Sequence, residues 1–236
     1  MILVEQMMSH AREESPRECC GLVVASGNKG RLIRAKNLAG NPLVNFDLDP
    51  AAWLELVDGE KVVGVYHSHP RTSAEASQAD LMGVEATKLP WHIVNPHTED
   101  YRVFEPTGYV APYEGRVYVH GSVDCYTVVR DWFAREWGLQ LPNFLRADNW
   151  WDKGQNLYLD NFEACGFVRL IDQAPEVGDV FLIQRSSSVP NHAVVYVGDG
   201  QILHHPAGRL SKVDPWGGVW ERHATHHIRH RSRTSG

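Results

Sequence analysis

The sequence predicts an α+β protein of two domains, and three observations carry that expectation. Helix-patterned and strand-patterned segments are interspersed along the whole chain. Residues 105–112 hold two prolines and a glycine and have no hydrophobic period, so they read as a linker near the middle. Each half then carries its own cluster of chemistry-bearing side chains. At 236 residues the chain has the length of two ordinary domains. The expected division is residues 1–105, a linker over 106–112, and residues 113–236.

Composition narrows the function classes. Hydrophobic residues make up 43% and charged residues 22%, the balance of a packed chain rather than a disordered one. A formal net charge of −6 argues against nucleic acid as the main partner, although the last residues are basic. No apolar run approaches the roughly 20 residues that span a bilayer, so no transmembrane segment is expected. The first residues lack the basic region and apolar core of a secretory signal. A soluble protein made in a cytosol is the expectation. Four cysteines, two of them adjacent as Cys19-Cys20, make neither a disulfide framework nor a Cys-x-x-Cys knuckle.

In the first half, residues 2–14 form a short helix that Ser15-Pro16 stops. Residues 20–25 read as a strand, 27–30 as a turn and 31–35 as the partner strand, with Cys19 and Cys20 as packing. Residues 49–57 read as a helix, with Asp49 as N-cap and Pro50 at its first position. Residues 62–66 are β-branched and apolar, a buried strand that runs into His67-Ser68-His69-Pro70. Positions i and i+2 of a strand share a face, so His67 and His69 point the same way. Ser77 is an N-cap that puts Asp80 in the first turn of the next helix, close to the strand end. Two nitrogens and an oxygen with a fourth position open is the arrangement of catalytic zinc. Residues 91–95 and 100–104 then alternate like an antiparallel pair, with His92 and His97 as polar strand and loop residues.

In the second half, the pattern turns helical from about Val123, and Val128, Val129 and Trp132 share a face with Cys125. Cys125 therefore lies in the first turn, where the positive end of the helix dipole favours thiolate. His192 opens an apolar strand, Asp199-Gly200 makes a hairpin turn, and His204 ends the returning strand. The two imidazoles finish on neighbouring strands, so one can take the thiol proton while the other orients it. Cys165 reads as packing, Trp150-Trp151 as a satellite hydrophobic cluster, and residues 223–233, rich in His and Arg, as a solvated tail.

Both constellations match known families. His67-x-His69-Pro70, six residues and then Ser77-x-x-Asp80, with Glu18 ahead of Gly21-Leu22, resembles the JAMM (MPN-plus) metallopeptidases. That resemblance implies Zn2+ held by His67, His69 and Asp80, Glu18 as general base, and Ser77 as an oxyanion stabiliser. Tyr118 before a Gly, Asp124-Cys125 opening a helix, His192 opening a strand and His204 twelve residues on resemble the NlpC-type cysteine peptidases. Residues 175–182 also look like that family's strand before the catalytic His. These are papain-like enzymes that cut peptidoglycan stem peptides, which implies Cys125 as nucleophile, His192 as base, His204 as its orienting partner and Tyr118 beside the oxyanion. Tyr126 stands where many members carry Ser, and His205 adjoins His204, so the orienting role is open between those two. The order of the two halves is similar to a family of tail-tip proteins of long-tailed phages. It implies bacterial peptidoglycan stem peptides as substrate, other phage tail-tip proteins as partners, assembly in host cytoplasm, and action at the cell wall in the periplasm. Two further readings are a structural tail component with idle sites and a cellular zinc isopeptidase that removes a protein tag.

Overall fold

Residues 2–27 and 29–233 are described by the computed structural model; Asn28, in the expected turn over 27–30, lies outside them. The chain divides into two units, Met1–Ala111 and Pro112–Gly236. The first contains α1 (Ile2–Glu14), β1 (Cys20–Ser26), β2 (Lys29–Ala35), β3 (Lys61–Ser68), α2 (Gln78–Thr87), β4 (Trp91–Val94) and β5 (Tyr101–Phe104). Its sheet runs β2-β1-β3-β4-β5. Only β3 and β4 pair in parallel, with α2 in the crossover between them. The strand β1 lies inside the sheet and is buried on both faces. Met7, Met8 and Ala11 of α1 cover one face with Cys19, Val23 and Tyr66. Leu22, Val24, Ile33, Val65 and Trp91 meet Val84 of α2 on the other.

Gly21 shows how closely β1 is packed, because a Cβ there would run into the Ile33 carbonyl oxygen and the Tyr66 ring. Gly21→Ala is therefore expected to destabilise the first unit by about 1–3 kcal/mol, the usual cost of overpacking, as read by denaturant unfolding. An unchanged midpoint would show that the sheet gives way freely.

Three local details go beyond the sequence reading. Residues 49–57 make a 3-10 helix over Pro50–Glu55 rather than an α-helix, capped by the Asp49 side chain on the Ala51 N–H. The segment is short and buries only Ala52, too little to sustain α-helical turns. Strand β2 begins at Lys29, earlier than expected. The start of the expected linker is tied to α2, where Glu85 Oε1 accepts the N–H groups of Thr107, Gly108 and Tyr109 at 2.7, 2.7 and 2.9 Å.

The second unit contains α3 (Cys125–Trp137), α4 (Leu157–Asn161), β6 (Phe167–Leu170), β7 (Val180–Ile183), β8 (His192–Gly198), β9 (Gln201–His204), β10 (Lys212–Pro215), α5 (Gly218–His223) and β11 (Ala224–His230). Its antiparallel sheet has the order β10-β9-β8-β7-β11-β6. Val128, Val129, Trp132 and Phe133 of α3 pack on Leu182, Val195, Leu203 and Ile228 of that sheet. Asp199 and Gly200 both have positive φ, 52° and 68°, which gives the tight hairpin its twist. The His- and Arg-rich stretch is not a solvated tail. It is β11, inserted between β7 and β6, where Ile228 joins the core and Arg229 is neutralised by Asp179 at 2.7 Å. Paired charge, not hydrophobicity alone, allows that strand inside.

Two candidate active sites

In the first unit the end of β3 and the start of α2 bring three donors together. His67 is the penultimate residue of β3; His69 lies just past the strand, yet its N–H still bonds the Val94 carbonyl of β4 at 2.9 Å. The ladder thus continues through His69 and keeps both imidazoles on one face. Ser77 and Asp80 form a reciprocal capping box, Ser77 N–H to Asp80 Oδ2 at 2.7 Å and Asp80 N–H to Ser77 Oγ at 3.2 Å. That box aims the carboxylate at the histidines. His67 Nε2 lies 3.0 Å from His69 Nε2 and 3.2 Å from Asp80 Oδ1, and His69 Nε2 lies 3.4 Å from Asp80 Oδ2. Bond lengths of about 2.0–2.1 Å to a tetrahedral Zn2+ would set donors roughly 3.3–3.4 Å apart, so these three fit one such ion.

The surroundings favour the same use. His69 Nδ1 donates to the Ser73 carbonyl at 2.9 Å, which leaves Nε2 with its lone pair. The His67 ring is stacked on Phe46, with centroids 4.4 Å apart. Burial opposes a charge on Asp80, yet both imidazoles and Ser77 hold its carboxyl well below the usual range. Burial pushes His67 down, whereas at His69 the neighbouring Asp80 and Glu18 overcome burial and raise it. Glu18, just before β1, is buried, and desolvation raises its carboxyl to about 7, with Asp80 adding to the effect and His69 opposing it. Its backbone is fixed by the Pro42 carbonyl at 2.7 Å and the Asn37 amide at 2.9 Å.

In the second unit, Asp124 is the N-cap of α3 and its carboxylate accepts the Thr127 N–H at 2.9 Å. Arg146, itself buried, neutralises it with Nε 2.7 Å from Oδ2. Cys125 follows at the first helical position and is buried. Its sulfur lies 3.3 Å from the Tyr158 hydroxyl. Burial, with Asp124 beside it, pushes the thiol up to about 11. Desolvation and the N-cap carboxylate thus outweigh the helix dipole at the resting thiol, and a base is needed to take its proton, as expected.

His192 opens β8 and its Nε2 lies 3.1 Å from Nδ1 of His204, at the end of β9. His204 Nε2 in turn lies 3.1 Å from Asp214 Oδ2 of β10. The carboxylate can only accept, so it fixes the proton of His204 on Nε2 and leaves Nδ1 as acceptor. His204 then fixes the proton of His192 on Nε2, and Nδ1 of His192 is left as the base. Burial and the neighbouring imidazoles push His192 down to about 3, so it rests neutral. Trp220 covers the pair, with centroids 4.4 Å from His204 and 5.6 Å from His192. Tyr118, Cys125, Trp151, His192 and Trp220 line one cleft of about 570 Å³.

All the expected site residues thus fall into two groups. His67, His69 and Asp80 converge, with Ser77 bonded to Asp80 and Glu18 coupled to His69. Cys125, His192 and Tyr118 share the cleft, and His204 rather than His205 contacts His192. His205 is buried with its ring edge-on to Tyr118, centroids 5.1 Å apart, and is bonded to the Arg209 carbonyl at 3.1 Å. Asp214, Arg146 and Tyr158 escaped the sequence reading. Asp214 could have been found only by pairing β10 with β9, where Lys212 sits opposite His204 and Asp214 follows two residues on, on the same face.

Comparison with known proteins agrees with the two units. Residues 2–106 match the family described as prokaryotic homologs of the JAB domain. Residues 115–229 match the NlpC/P60 family. The chain is 34% identical over 230 residues to "Tail tip assembly protein K" of Escherichia phage N15, covering 97% of this chain and 94% of that one. It is 39% identical over 186 residues to the protein of the same name from Escherichia phage lambda, covering 78% and 90%. The chain is also similar to a desampylase of Haloferax volcanii, 34% identical over 89 residues, which cover 32% of this chain and 63% of that protein.

Proposed function

Since this chain belongs to the tail tip assembly protein K family, a JAB-type domain followed by an NlpC/P60 domain, we propose that it works at the phage tail tip among other tail-tip proteins. There its second unit cleaves an amide bond of peptidoglycan stem peptides, in tail assembly and in local opening of the cell wall during genome entry. The observation that carries the reading is the chain of contacts from Asp214 through His204 to His192, which ends in the cleft that holds Cys125.

The chemistry follows from those contacts. The Cys125 S–H proton passes to His192 Nδ1 as the sulfur bonds the amide carbonyl carbon. Charge on the carbonyl oxygen meets the Cys125 N–H, which has no acceptor within the helix at this first position, and the Tyr118 hydroxyl in the same cleft, whose O–H turns to it from His120 Nδ1, 3.2 Å away. His192 then gives its proton to the leaving amine as the C–N bond breaks. Water, deprotonated by His192, hydrolyses the thioester and restores the thiol. Asp214 stabilises the imidazolium through His204.

For the first unit we propose a zinc isopeptidase-like site with His67, His69 and Asp80 as ligands. When bound, Zn2+ supplies Lewis-acid polarisation of an amide carbonyl. Glu18, buried beside the ligands, takes a proton from water and returns it to the leaving amine. Ser77, whose oxygen accepts from Asp80, keeps its own O–H to donate to an oxyanion.

Digestion of purified sacculi with product masses read out tests the second-unit activity. Wild type and His67→Ala are expected to release new amine termini, and Cys125→Ala is not. Zinc content after dialysis tests the first unit, with about one ion per chain expected in wild type and nearly none in His67→Ala or Asp80→Asn. If no form releases amine termini, the wall-hydrolase reading fails and a tail component with an idle cysteine site stands in its place.

A further inference from the structure

The turn-rich, aromatic stretch that precedes β6 delivers a phenol to the candidate nucleophile. Tyr158 of α4 lies with its hydroxyl 3.3 Å from Cys125 Sγ. Its ring is held edge-on by Trp150 at 5.8 Å and by Tyr126 at 6.2 Å, and Trp150 is itself only 2% exposed. The aromatic cluster thus acts as a mount that fixes where the hydroxyl points. We propose that Tyr158 is a catalytic residue of the second unit, an O–H donor that stabilises the thiolate of Cys125. The proposal rests on the reading of Cys125 as nucleophile.

The need for such a donor follows from the site. When the S–H proton moves to His192 Nδ1, negative charge develops on a buried sulfur. The groups facing it are Asp124 at the start of α3, Arg146 from the loop after that helix, His192 from β8, and Tyr118 and Tyr158. Asp124 and Arg146 largely cancel, being 2.7 Å apart. Close stabilisation is left to short-range donors, and the Tyr158 hydroxyl lies within bonding distance of the sulfur. A hydrogen bond to an ionised acceptor is roughly twice as strong as one to a neutral acceptor, so the phenol favours thiolate over thiol. The phenol keeps its proton throughout, since His192 takes the one from sulfur.

The experiment is alkylation of the full chain by iodoacetamide between about pH 5 and 10, where the rate follows the thiolate fraction and rises about tenfold per pH unit for a thiol that ionises above the range. Modification of Cys125 and Cys165 is followed separately by peptide mass spectrometry. Tyr158→Phe keeps the ring and removes only the hydroxyl. The Cys125 profile is expected to move to higher pH, with the rate at pH 7 falling about tenfold, while Cys165 is unchanged. Cys165 packs against the same core and reports loosening, which would speed both cysteines. A Cys125 profile that superimposes on wild type, or a rise at both cysteines, overturns the proposal. The readout needs no substrate: a shifted profile in a protein that cuts no sacculi would sink the hydrolase reading and leave the Tyr158 contact standing.

Discussion

Alanine at His192 should lower kcat/KM for stem-peptide cleavage by roughly 10⁴-fold or more, and alanine at Asp214 by about 10²-fold. The double variant should be no worse than His192→Ala alone. Asp214 touches His204 at 3.1 Å, and its effect reaches the thiol only through His204 and His192. With His192 gone, nothing remains for Asp214 to orient or for its charge to stabilise. Residues that act as one unit lose activity in this non-additive way. Losses that multiply in the double variant would show that Asp214 acts by another route, such as its ion pair with Lys212 at 2.7 Å.

Methionine at Arg146 is expected to destabilise the second unit by about 3–5 kcal/mol, because it strands a buried carboxylate. Asp124 is 2% exposed and bonded by Arg146 Nε. The same guanidinium donates to the carbonyls of Gly121 and Phe144 at 2.7 and 2.6 Å, so it also joins the loop before α3 to residues 143–147. Arg146→Met in an Asp124→Asn background should recover part of the loss, since the stranded charge is then absent. Thermal unfolding of the full chain, with the second unit followed by Cys125 alkylation, measures both. A melting point within about 2 °C of wild type for the single variant would mean that water reaches Asp124 and the pair is not sealed.

What could be read from the chain depended on whether a residue's partner is near in sequence. His67, His69, Ser77 and Asp80 lie within fourteen residues, so strand alternation and a helix cap suffice to bring them together. His192 and His204 are joined by a tight turn whose Asp-Gly pair announces itself. Asp214, Arg146 and Tyr158 reach their partners across ten to thirty-three positions through strand pairing or loop packing, and no local period reports that. The same limit hid β11, whose polar composition imitates a surface tail while Asp179 neutralises its arginine from fifty positions away. The strength with which Cys125 holds its proton was not legible for a different reason. Helix position is visible in a sequence, but desolvation is set by everything packed around the sulfur.

The place of β11 has a consequence for biosynthesis. Ribosomes deliver the cysteine-bearing helix and the imidazole hairpin well before the strand that must slot between β6 and β7. Until Ala224–His230 emerges, β6 has no neighbour in the sheet and β7 has a bare edge. A nascent polypeptide therefore holds Cys125, His192 and His204 on an unfinished scaffold, and a product cut short before that strand cannot close it.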